Sequence, residues 1–178
     1  MNRVLPVLLC LFGAACAGHM TLPPPQTVPW VDLTRYQGTW YEIARLPMWF
    51  QRGCISSVAT YGPLQPGMIS VLNECLTDRG ERKTASGYAS IVDTQSNAKL
   101  EVVFDTWLSQ LFPSLLKGKY WIFFLDPDYQ TAIVGTPDRE YLWILSRTPA
   151  MAEEQYQRLV EQCRSLGFDT ERLIRAGA

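Results

Sequence analysis

The sequence predicts an all-β fold: eight antiparallel strands followed by one C-terminal α-helix. Three observations carry this. Short runs of alternating apolar and polar residues recur along the chain, the period of a half-buried strand. The runs are separated by segments rich in Gly, Pro, Asp and Asn, residues whose backbone preferences set turn dihedrals. Beyond residue 147 the apolar spacing changes from two to that of a helix. Hairpin-length connections favour an up-and-down barrel or a sandwich over any parallel sheet.

The chain opens with a basic residue, Arg3, and the apolar run "VLPVLLCLFGAA". That run is shorter than the roughly 20 residues needed to span a bilayer, and it ends in small residues, so residues 1–15 read as a secretory signal peptide. The following Cys16 resembles the modified cysteine of the bacterial lipobox, with Gly13 standing where that pattern prefers Leu. The resemblance implies lipidation of Cys16, and Ala17 after it, rather than Asp, implies the outer membrane, with the protein facing the periplasm. A secreted or periplasmic soluble protein is the alternative. "TLPPPQTVP" then reads as a stiff Pro-rich spacer, so residues 16–30 form a lipidated linker and residues 31–178 the folded domain.

The strands are expected at 40–46, 54–61, 68–75, 84–92, 99–107, 120–125, 131–136 and 141–147, with "GPLQPG", "TDRGERK", "DTQSNA", "DPDYQ" and "TPDRE" as connections. "PAMAEEQYQRLVEQCRSLGF" places Met151, Tyr156, Leu159, Val160, Cys163 and Leu166 on one helical face. Glu153 and Glu154 near its start and Gly167 after its end fit helix-terminus chemistry.

Composition narrows the function. Sixteen Lys and Arg against 17 Asp and Glu give a net charge of -1, with no basic surplus for nucleic acid. The only histidine, His19, lies in the linker, so the domain has no His-based triad, His general base or His-ligated metal. No Gly-rich phosphate loop, CxxC or HExxH occurs. Asp126, Asp128 and Asp138 fall in the two turn segments "DPDYQ" and "TPDRE". The chain reads as a binder rather than an enzyme, with no cofactor and no metal.

Gly38-Thr39-Trp40 near the first strand, Asp128-Tyr129 between strands six and seven, and Arg147 at the end of strand eight resemble the three sequence motifs of the lipocalin family. "GTWYEIARL" and "YLWILSRTP" are especially similar to bacterial lipocalins, which are outer-membrane lipoproteins. The resemblance spans about residues 33 to 175. It implies an eight-stranded up-and-down barrel with Trp40 plugging the closed end under the Arg147 guanidinium, and Gly38 allowing a tight chain crossing. It also implies storage or transport of fatty acids or lysophospholipids in the cavity, with Tyr120 and Trp143 matching ligand-contacting aromatics. A packed, ligand-free structural envelope lipoprotein is the competing reading. A homodimer is retained beside a monomer.

Strand parity extends the site. If Arg147 points inward, so do Trp143 and Tyr141; if Trp40 points inward, so do Glu42 and Ala44. Glu42 in the interior needs a hydrogen-bonding partner. Ala85, Gly87 and Ala89 would leave room on one wall. Two apolar loops, "PMWFQRG" and "TWLSQLFPSLLKGK", are expected to rim the open end, as a mouth that admits acyl chains or touches the bilayer; the alternative is that the longer loop is a short helix whose apolar side caps the barrel.

Excluding Cys10 and Cys16, three cysteines remain in an oxidising compartment. With Tyr61 facing Met68 across the second hairpin, the register sets Cys54 opposite Cys75, predicting a disulfide and a free, half-buried Cys163. The alternative is Cys54–Cys163, since some lipocalins tie a strand to the C-terminal region.

Overall fold

A computed structural model describes residues 22–105 and 118–177. The expected signal peptide, Cys16 and the apolar loop at 106–117 lie outside the described residues.

The strands are β1 (Gly38–Arg45), β2 (Cys54–Gln65), β3 (Met68–Thr77), β4 (Arg82–Ile91), β5 (Lys99–Phe104), β6 (Gly118–Leu125), β7 (Thr131–Gly135) and β8 (Leu142–Ser146). Each pairs antiparallel with the next, and β1 pairs with both β8 and β2, which closes the barrel. A one-turn helix α1 (Leu33–Tyr36) precedes β1, capped by the Asp32 carboxylate accepting from Thr34 N and Arg35 N. The long helix α2 (Glu153–Ser165) follows β8. A two-residue strand, β9 (Ile174–Arg175), then pairs with the upper end of β1. Gly177 N also donates to Ile55 O, so the C-terminus fills the gap where β2 has left β1.

Apolar residues sort into two clusters, one on each face of the wall. Trp40, Tyr36, Tyr61, Val71, Leu100, Ile122, Val134 and Leu145 fill the lower barrel interior. Outside, Tyr156, Leu159, Val160 and Cys163 of α2 pack on Ile43, Ile133, Leu142 and Ile144. These α2 residues are the helical stripe expected from the sequence. Cys163 is fully buried there, not half-buried, because it sits at the centre of the helix–barrel contact.

The hairpin register differs from expectation. β2 and β3 run through "GPLQ", and only Pro66 and Gly67 turn the chain, Gly67 with φ +79°. Tyr61 therefore faces Val71, and Cys75 faces Ser57 rather than Cys54. A bulge between Cys54 and Ser56 restores proximity: the structure contains the Cys54–Cys75 disulfide, with Cα atoms 5.7 Å apart.

Candidate functional site

The closed end is built from Gly38, Trp40 and Arg147. Trp40 is fully buried and donates from Nε1 to Tyr36 O at 2.8 Å. The Arg147 guanidinium carbon lies 3.9 Å from its ring centroid. The same guanidinium donates to the carbonyls of Thr39 (3.0 Å), Arg35 (2.8 Å), Tyr36 (3.2 Å) and Tyr129 (3.1 Å), tying α1, β1 and the β6–β7 turn together. Gly38 has φ +95°, and a Cβ there would lie 3.2 Å from Arg147 Nη1. Both facts call for glycine.

Next to the plug stand three tyrosines. The Tyr36 and Tyr120 hydroxyls are 2.7 Å apart, and Tyr61 donates to Tyr120 at 3.0 Å. Burial raises all three phenols, Tyr61 to about 12, so they stay neutral donors and acceptors that satisfy one another. Neither Tyr36 nor Tyr61 stood out in the sequence: one precedes the first strand and the other looked like a strand end.

Higher up the barrel, burial of the inward face falls away. Strands tilt in a closed barrel, so a row of paired residues climbs as it crosses from strand to strand. The row Trp40–Ala59–Asn73–Ala85 passes from buried, through two partly exposed positions, to exposed. The row Tyr61–Val71–Gly87–Phe104 passes from two buried positions to two partly exposed ones. Among the described residues, the interior is thus a packed floor below an open, mostly apolar cup. Gly87 does not serve to make room: a Cβ on it would sit 2.1 Å from Val103 O, so glycine is needed for the close β4–β5 approach.

Parity fails in β1. A bulge between Glu42 and Ala44 shifts the register against β8. Ala44 consequently lies in the cluster under α2 and is withdrawn from the cup. Glu42 remains inside and is paired. It receives Arg45 Nη1 at 2.6 Å and Gln51 Nε2 at 2.9 Å, both ion-pair side chains being almost fully buried. Arg45 Nη2 also donates to Cys54 O at 2.8 Å. Gln51 reaches Ser57 Oγ at 3.1 Å, and its Oε1 accepts from Trp143 Nε1 at 2.9 Å. The network fixes the Trp143 indole on the cup wall and pins the first mouth loop. Arg45 and Gln51 escaped sequence reasoning because the bulge leaves no trace in the alternation.

Tyr141 sits at the mouth, its ring 5.4 Å from Phe50 and 6.4 Å from Trp143. Tyr120 and Trp143 are both partly exposed inside. Asp126, at the closed end, accepts from Gln130 N, Asp128 N and Thr131 Oγ1, and so is a turn former. Asp138 does the same at the mouth for Thr136 Oγ1 and Glu140 N. Among the described residues no cluster of His, Cys, Asp and Glu could hold a metal ion.

The lipocalin-like domain family matches residues 31–178, from the segment before α1 to the end of the chain. The chain is a lipocalin. It is 36% identical to the outer membrane lipoprotein Blc of Escherichia coli K12, over 97% of this chain and 96% of the relative. It is 42% identical to temperature-induced lipocalin-1 of Arabidopsis thaliana, over 83% and 80%. Among solved structures, insecticyanin of Manduca sexta superposes with a TM-score of 0.67 at 19% identity, covering 86% of this chain and 84% of that one. This likeness shows the closed barrel with its C-terminal helix. Membership places the lipocalin among binding proteins for small hydrophobic ligands, not among enzymes. Its bacterial relatives are named as outer-membrane lipoproteins; the plant relative is not.

Proposed function

We propose that this lipocalin binds single-chain lipids, fatty acids or lysophospholipids, and stores or carries them at the bacterial outer membrane. The observation that carries the reading is the graded burial of the inward face: a sealed floor of Trp40 and the three tyrosines under an open cup lined by Ala59, Ala85, Phe104, Tyr120 and Trp143. Such a shape takes an apolar chain end-on. Affinity comes mainly from removing apolar surface from water, about 25 cal/mol per Å². The tyrosine hydroxyls, bonded to each other, present a closed polar stop beneath the tail.

Lipidation of Cys16 would hold the protein to the membrane facing the periplasm. The support is the lipobox-like sequence and the likeness to bacterial relatives named as outer membrane lipoproteins. The partial exposure of the inward-facing Ala59, Gly87 and Phe104 counts against a barrel packed solid with side chains.

The test is native mass spectrometry of the full chain extracted from its own membrane in mild detergent. A retained fatty acid or lysophospholipid is expected, with an acylated N-terminal Cys16. Ligand-free protein that also fails to bind added palmitate would refute lipid binding.

A further inference from the structure

The most exposed aromatic ring among the described residues is on the first mouth loop: Trp49 is 74% exposed, and its neighbour Phe50 is 49% exposed. Leaving such rings in water is unfavourable, and a floppy loop would fold them away. This loop cannot. Met48 before them is buried, and Gln51 after them is held by Glu42, Ser57 and Trp143. Arg45, paired to Glu42, holds Cys54 O from below. A buried ionic network therefore presents two apolar rings rigidly to the outside.

The rings also lead somewhere. Trp49 and Phe50 meet edge to face at 5.6 Å, Phe50 meets Tyr141 at 5.4 Å, and Tyr141 meets Trp143 at 6.4 Å. This is an unbroken aromatic track from the outer rim to the indole on the cup wall. The first described residue, Leu22, lies at the same end. Arg139, in the β7–β8 turn at the mouth, donates to Pro23 O at 2.7 Å, and Cys16 is only six residues before Leu22. A lipid on Cys16 would therefore bring a bilayer within reach of the rim.

We infer that Trp49 and Phe50 are a membrane-docking portal: they insert into a lipid surface and pass an acyl chain along Tyr141 to Trp143. The inference rests on the reading of the cup as a lipid site, and adds where the lipid comes from and by which wall it enters.

The experiment follows transfer of anthroyloxy-palmitate from phosphatidylcholine/phosphatidylglycerol vesicles to the full chain. For the unmodified protein the rate is expected to rise with vesicle concentration, the mark of transfer by contact. In Trp49→Ser/Phe50→Ser the rate is expected to fall about tenfold, as apolar contact with the surface is lost, and to become independent of vesicle concentration. Affinity for monomeric palmitate in water stays within about twofold, because the rings stand outside the cup. Equal transfer rates for the two proteins, or an unmodified rate that ignores vesicle concentration, would overturn the portal. A second readout needs no ligand: brominated lipid vesicles should quench the unmodified protein more than Trp49→Phe. Equal quenching overturns the docking step even if the cup binds palmitate, and quenching without palmitate binding overturns the cup instead.

Discussion

The Arg147 guanidinium covers Trp40 at 3.9 Å while donating to four main-chain carbonyls. One side chain thus joins the plug, the preceding helix and the β6–β7 turn. Replacing it by Met removes the cation–π contact, worth about 0.5–2 kcal/mol, and leaves the carbonyls partly unpaired, at about 1–3 kcal/mol. Arg147→Met is expected to lose roughly 3 kcal/mol in urea unfolding with lipid affinity nearly unchanged. Trp40→Ala should lose about 3–5 kcal/mol. An unchanged melting temperature in either would show that the closed end is not held this way.

Glu42 and Arg45 form a buried ion pair whose members depend on each other. Glu42→Leu strands the Arg45 charge and is expected to cost about 3–5 kcal/mol. Glu42→Leu/Arg45→Met removes both charges and should recover most of that loss, though the first mouth loop, without its ties to Glu42 and Arg45, should exchange its amides faster. Urea unfolding and hydrogen exchange check the two halves. Additive losses in the double variant would argue against the pairing.

The tyrosine cluster makes an alkaline prediction. The folded pKa of Tyr61 is about 12, above the ordinary 10 of an unfolded chain. The folded form thus holds its proton more tightly, so the contribution is complete below pH 10 and disappears as pH rises toward 12. Roughly 3 kcal/mol is at stake for Tyr61, at about 1.4 kcal/mol per pKa unit. Stability should fall across that window. Phenolate absorbance from the cluster should appear only with unfolding.

The cysteines divide into a staple and an inert thiol. The bridged residues are 21 apart in sequence, so Cys54→Ser/Cys75→Ser should lose about 3 kcal/mol. Cys163 is buried under α2 with its thiol pushed up to about 12. Cys163 should show almost no reaction with thiol reagents at pH 8 in the native protein, and should become labelled on unfolding without reductant. Rapid labelling of Cys163 in the folded state would contradict its placement.

The barrel was legible because much of each sequence run alternates with a period of two between clear turn signals, and α2 because its apolar stripe keeps a helical period. Where backbone irregularity intervenes, legibility stops. The β1 bulge turns Ala44 to the outside and brings Arg45 into contact with Glu42, and alternation cannot announce a bulge. The disulfide pair was reached through a register that is itself wrong: the hairpin turns at Pro66-Gly67, and a second bulge at Cys54 restores the distance. β9 is two residues long and carries no pattern. The tyrosine cluster joins residues 36, 61 and 120, a meeting created only by closure of the sheet.

Ala85 faces inward in the highest part of the described wall and is exposed to solvent. A larger side chain there obstructs the mouth of the cup without disturbing the packed floor. The decisive measurement is titration of the unmodified chain and Ala85→Trp with anthroyloxy-palmitate, alongside their melting temperatures. The expected result is saturable one-site binding by the unmodified chain, at least about tenfold weaker binding by the variant, and equal melting temperatures. No binding by the unmodified chain, or equal affinity for both, would contradict a hollow that holds a lipid.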